Sequence, residues 1–138
     1  MNRDEVIAFI NLYSSGRFEE AVNSFFTEDA SFWNTRIALR GRQKIIDWLM
    51  ASHLGHAEKV APVSLIVEPD GAAFELEQEF HAHEDMSHFF IQPMKKGEVL
   101  KTRGVSWFLK FREGKICSLK EYRLLYRCDP KIFMTKVR

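Results

Sequence analysis

Val6, Phe9, Ile10 and Tyr13 recur at the spacing of one helix face. Asn2 stands where an N-cap is needed and Gly16 where a helix stops, so the spacing predicts a first helix between them. Phe18, Ala21, Val22 and Phe25 continue the pattern as a short second helix ending near Thr27, Glu28 and Asp29, which gives helical structure over about residues 3–26. A strand over about 30–34 follows. After an irregular link through Leu39, Arg40 and Gly41, the stripe Ile45, Ile46 and Leu49, extended as far as His53, predicts a third helix over about 42–54.

From Val60 the period changes to two. Val63–Val67, Ala72–His83, Val99–Phe111 and Ile116–Tyr126 read as strands within about 60–126, with turns at Pro69-Asp70-Gly71 and Arg112-Glu113-Gly114-Lys115. Helices followed by an antiparallel meander define an α+β domain with its helices on one face of a curved sheet. Glu84–Glu98, with Phe89, Phe90, Ile91 and Pro93, fits an edge strand, a lid, or both.

One strand carries most of the candidate chemistry. Its odd positions are Glu75, Glu77, Glu79, His81 and His83, and its even positions are Phe74, Leu76, Phe80 and Ala82. If the charged face is wet, the strand is an ordinary half-buried one. If it lines a cavity, the carboxylates desolvate and repel one another and their pKa values rise. The alternation alone puts the apolar even face in the core.

The length of 138 residues and a hydrophobic share of 46% suit a single domain over 1–138, with a short tail at 127–138. A net charge of +1 offers no general attraction to nucleic acid or to an anionic membrane. The basic tail from Lys131 is expected to be a solvated terminus. Cys117 and Cys128 have no zinc-type spacing, and no apolar run approaches the roughly 18 residues of a membrane span. No signal-like segment precedes the first helix, so a cytoplasmic location is expected. The pair His81 and His83, with His88 nearby, has the ingredients of a metal site without its wider pattern, and no bound metal is expected.

The segments Phe25–Asn34, Leu39–Ile45 and Phe111–Tyr122 make the chain resemble the nuclear-transport-factor-2-like superfamily, in particular its SnoaL-like, ketosteroid-isomerase-like and limonene-epoxide-hydrolase-like members. The resemblance implies a cone-shaped fold, in which three N-terminal helices close a strongly curved, mainly antiparallel sheet around a pocket. The ketosteroid-isomerase-like acid and base positions fall on Ile10, Asn34 and Trp107, none of which is an acid or base of the required type. The epoxide-hydrolase-like positions fall on Phe32, Asn34, Glu77, Glu79 and Glu121. Asn34, Glu79 and Glu121 keep the chemical type, whereas Phe32 and Glu77 depart from it. With a glutamate at 77 in place of arginine, the resemblance implies a proton-sharing group of Glu77, Glu79 and Glu121, with Asn34 as hydrogen-bond partner. Arg123, two residues after Glu121, supplies a compensating charge, and His81 joins the same face.

The resemblance also places Phe32, Trp107, Leu109, Phe111 and Leu119 on the pocket wall, although aromatic and aliphatic residues on alternating strands more often form core. Such a site suits a small, mainly apolar or amphipathic molecule bearing a carbonyl, hydroxyl or epoxide, with no cofactor. Two functions follow. One is a cofactor-independent isomerase, lyase or hydrolase using carboxylate acid and base chemistry. The other is a non-catalytic ligand-binding or dimeric interaction module of the same fold, with a homodimer expected in either case.

Overall fold

The computed structural model describes residues 1–124 and, as backbone, 134–137. Asn2 caps α1 (Arg3–Ser14): its side chain accepts from the Glu5 amide while the Glu5 carboxylate accepts from the Asn2 amide. Gly16, at a φ of 79°, turns the chain into α2 (Phe18–Phe25), which runs directly into β1 (Phe26–Trp33). β2 (Ala38–Arg40), α3 (Arg42–Ser52), β3 (His56–Glu68), β4 (Gly71–Ala82), β5 (Val99–Arg112), β6 (Lys115–Arg123) and β7 (Met134–Val137) follow.

Six strands form one curved, unclosed sheet in the order β2-β1-β6-β5-β4-β3, antiparallel throughout except for the parallel pair β1 and β6. The fold is α+β, with the three helices packed on the sheet. The apolar stripes of the helices supply Val6, Phe9, Ile10, Ala21, Val22, Ile45 and Leu49 to the core, against Phe26, Phe74, Leu76, Trp107, Ile116 and Leu119 from the strands. Burying these side chains removes most of their apolar surface from water, the main term that holds helices to sheet.

A bulge in β5 shapes the sheet. Gln78 pairs with Thr102 and Leu76 with Val105, so Arg103 and Gly104 together oppose one residue of β4. Gly104 adopts a φ of 74° there. The extra residue changes which positions face inward: Leu100 and Thr102 before it, Val105, Trp107 and Leu109 after it. β6 pairs with β5 only beyond the bulge, through Val105–Arg112, which leaves the edge at Val99–Thr102 open. β7 takes that edge, so residues 134–137 form a strand where the sequence suggested a solvated tail. The expected strand end at Tyr126, and Cys128, lie outside the described residues.

β4 has its even residues inside. Ala72, Phe74, Leu76, Gln78, Phe80 and Ala82 are buried, whereas Glu75 and Glu77 are exposed and Glu79 and His81 partly so. The concave placement of Glu77, Glu79 and His81 is therefore corrected, for the reason the alternation itself contains: an apolar face was available to be buried and a charged one to be hydrated. The segment 84–98 is irregular apart from one bridge, Met86 with Met94. It packs Met86, Phe89, Ile91 and Met94 on Phe80, Ala82 and Leu100, and brings Phe90 to the mouth of a cavity. Among the described residues, no helix is long and apolar enough to cross a membrane.

Candidate active site

The cavity lies between the helices and the inner face of the sheet. Tyr13 reaches it from α1, Trp48, Ser52 and His53 from the end of α3, and Glu58 from β3. β4 contributes Gln78 and Phe80, β6 contributes Glu121 and Arg123, and Phe32, Asn34 and Arg36 come from the end of β1 and the link after it. Its volume is about 20 Å³, room for one or two waters, and Phe90, with the Arg36 guanidinium 3.9 Å over its ring, stands at its mouth.

A hydrogen-bonded chain runs along the floor. His53 Nδ1 lies 2.7 Å from the Leu49 carbonyl oxygen, which only accepts, so Nδ1 carries a hydrogen. His53 Nε2 is 2.6 Å from Glu58 Oε2, and a proton therefore lies between this imidazole and this carboxyl group on one atom or the other. Tyr13 donates to the same Glu58 oxygen at 3.2 Å, and Gln78 Nε2 donates to Glu58 Oε1 at 2.6 Å. The Gln78 oxygen accepts from Arg123 Nη2 and, at 3.4 Å, from the Thr102 hydroxyl. Arg123 Nη2 is 3.7 Å from Glu121 Oε1, and Trp107 Nε1 donates to Glu121 Oε2 at 2.7 Å. The amide of Gln78 has one possible orientation, since arginine only donates and the carboxylate beyond it accepts.

Burial sets the electrostatics. Removal from water raises the Glu121 pKa, and Glu58 adds to the effect, while Arg123, Trp107 and Arg36 oppose it. The Tyr13 hydroxyl is pushed well above its ordinary range, first by burial and then by Glu58. His56 is lowered to about 4, by burial and then by His53 5.2 Å away, ring to ring. A second, roomier cavity of about 330 Å³ opens on the other side of His53, His56 and Glu58, lined also by Phe18, Met50 and Leu54. His53 and Glu58 thus form part of the partition between two cavities.

Of the residues expected from sequence, Phe32, Asn34, Glu121 and Arg123 line the first cavity. Asn34 spends its side-chain oxygen on its own loop, accepting from the Arg36 and Ile37 amides at 2.8 and 3.0 Å. Trp107, Leu109 and Leu119 are buried core and Phe111 packs half-buried against it, so these four stand behind the cavity instead of lining it. Trp107 still meets the site through its indole N–H. Glu77 and Glu79 are on the outer face, and His81 lies 3.4 Å from Glu79 there. Among the described residues, no group of three or more His, Cys, Asp or Glu is placed to hold a metal ion.

Tyr13, His53, Glu58 and Gln78 were not expected at the site. Gln78 carried a signal, as the amide in an otherwise apolar even face between Leu76 and Phe80. Glu58 carried a weaker one, two positions before Val60 on the same face. Tyr13 reads as the last member of a core stripe, and only its hydroxyl marks it out.

The chain matches the SnoaL-like domain model over residues 6–119 and belongs to that family. No protein of curated function matches it. Among solved structures, an LEH-like epoxide hydrolase from M. tuberculosis is similar at a TM-score of 0.69 and 14% identity, covering 89% of this chain and 82% of that one. A proposed polyketide cyclase from Silicibacter sp. gives a TM-score of 0.73 and 16% identity over 88% of both chains. A protein of ketosteroid isomerase-like fold from Catenulispora acidiphila, crystallised with trimethylamine, gives 0.67 and 16% identity, over 91% of this chain and 88% of that one. At these identities the likeness shows the fold, and the chemistry has to be argued from the side chains.

Proposed function

We propose that this protein is a cofactor-independent enzyme that moves protons on a small molecule bearing a carbonyl, hydroxyl or epoxide oxygen, as an isomerase, lyase or hydrolase. The observation that carries this reading is Glu121. Its side chain is only 12% exposed, its carboxyl group is held by the Trp107 indole, and it faces the same cavity as the His53 and Glu58 pair. Burial favours the protonated form of Glu121, which suits a general acid, and the His53 and Glu58 pair, which already shares a proton, suits a relay that passes one on and takes it back. Tyr13 adds a hydroxyl donor beside them. The similarity to an epoxide hydrolase and to a proposed polyketide cyclase supports chemistry of this class.

The test is a panel of small ketones, hydroxy compounds and epoxides, followed by Glu121→Gln on any compound turned over. The variant is expected to lose at least about a hundredfold in kcat, the usual size of a general acid's contribution. Unchanged turnover in the variant sinks the assignment. The narrow cavity favours one competing reading, a binding module whose pocket is filled by its own side chains. Under that reading no compound in the panel is turned over, and none stabilises wild type or Glu121→Gln.

We further propose a homodimer closed by the outer face of the sheet, where Trp33, Tyr122 and Phe108 form an exposed strip of tilted and edge-to-face rings with centroids 5.2 and 5.5 Å apart. Sedimentation velocity is expected to give twice the 16.2 kDa chain mass, falling to one chain when Phe108 and Tyr122 are both changed to Lys. A single-chain mass for the wild type at every concentration removes this proposal.

A further inference from the structure

Two arginines face the cavity, and its acids do not use them up. Arg123 is 7% exposed by side chain; its Nη2 serves Gln78 and approaches Glu121, while its Nη1 is buried with no hydrogen-bond partner among the described residues. The Arg36 guanidinium stands over the Phe90 ring at 3.9 Å and is 5.3 Å from the Trp48 ring centroid, and among the described residues it makes no ion pair or side-chain hydrogen bond. The Arg123 guanidinium reaches the same Phe90 ring at 5.3 Å. The two cations therefore flank one aromatic side chain at the mouth. Glu58, meanwhile, is already surrounded by Tyr13, Gln78 and His53, and Glu121 by Trp107 and Arg123.

A buried guanidinium nitrogen without an acceptor is costly, and such groups are normally satisfied. Guanidinium stacked on an aromatic ring is weakly hydrated and keeps its in-plane donors for a planar anion. Supply of donors exceeds supply of acceptors here, and the surplus sits on two groups that together match a carboxylate.

We propose that the substrate carries a carboxylate, bound by Arg123 Nη1 and the Arg36 guanidinium beneath Phe90. This deepens the proton-transfer reading and rests on it for the word substrate, since the anion anchors the molecule whose reacting end meets Glu121. It also assigns the arginines a positioning role separate from proton transfer. Because the cavity in this conformation holds one or two waters, Phe90 swings out to admit the molecule and the ring stacks back over it.

Benzoate and benzamide share shape and differ in charge, which makes them the probes. Binding is read from the indole N–H signals of Trp48 and Trp107 in proton-nitrogen correlation spectra. Benzoate is expected to bind at least about tenfold more tightly than benzamide. Arg36→Gln is expected to remove that preference without changing benzamide binding; Arg123→Gln is expected to do the same if it folds. Arg36 lies on the link after β1, so its variant keeps the test decisive even if Arg123→Gln fails to fold. Equal affinity for the two probes, no indole shift with benzoate at saturating concentrations, or a preference untouched by Arg36→Gln each overturns the proposal. Since binding requires no turnover, lost benzoate preference alongside an intact Glu121→Gln effect on kcat removes the anion anchor alone. A retained preference in a protein that turns nothing over removes the proton-transfer reading alone.

Discussion

Glu121 and His56 are pulled in opposite senses by the same physical cause. Withdrawal from water disfavours the charged form, which raises an acid and lowers a base. The folded chain therefore binds the Glu121 proton more tightly than the unfolded chain does, so this residue's contribution to stability falls as pH rises above its ordinary 4.5. For His56 the folded chain binds the proton less tightly, and stability is lost as pH falls from 6.5 towards about 4. Urea denaturation at several pH values separates the two. Relative to wild type, Glu121→Gln is expected to gain stability with rising pH, and His56→Gln to gain with falling pH across that window. Parallel pH curves for wild type and both variants would show that neither side chain is desolvated as described.

At the scale of elements, the single residue of most consequence is Gly104, which touches nothing in the cavity. Its φ of 74° is open to glycine and strained for other residues, and a Cβ there would meet the Leu124 side chain at 2.6 Å. The bulge it permits lets Thr102 and Trp107 both face inward although five positions separate them. Thr102 then supports Gln78, and Trp107 supports Glu121. Gly104→Ala is expected to cost roughly 1–3 kcal/mol by chemical denaturation and to weaken any activity beyond what that loss of stability explains. A variant as stable and as active as wild type would show that the bulge has no part in building the site.

For the whole molecule, the order of elements was legible because the hydrophobic period changes once, from helical to alternating, and the change survives into the structure. The family was legible from segments on β1, β2 and β6, which lie side by side at one edge of the sheet. Of the cavity lining, Phe32, Asn34, Glu121 and Arg123 were legible, in or next to those segments. Glu77 and Glu79 were misplaced because a resemblance carried across low identity slipped by one position on β4, and in a strand one position is the whole difference between core and solvent. The bulge at Gly104 hides the true register, since Thr102 and Trp107 are both inward on one strand although one is even and the other odd. The pairing of His53 with Glu58 was unreadable for another reason: they come from a helix end and a strand start that meet only once α3 is packed.

Gln78 ties the two halves of the site together, and it is an amide. It neither takes up nor releases a proton at ordinary pH, so it works as an insulator with fixed polarity, oxygen towards Arg123 and nitrogen towards Glu58. A glutamate there would merge Glu58, Arg123 and Glu121 into a single shared-proton pool. With the amide in place no proton crosses between the two ends through this side chain, and Glu58 acts on Glu121 only through space, the separation needed to take a proton at one position and return one at another.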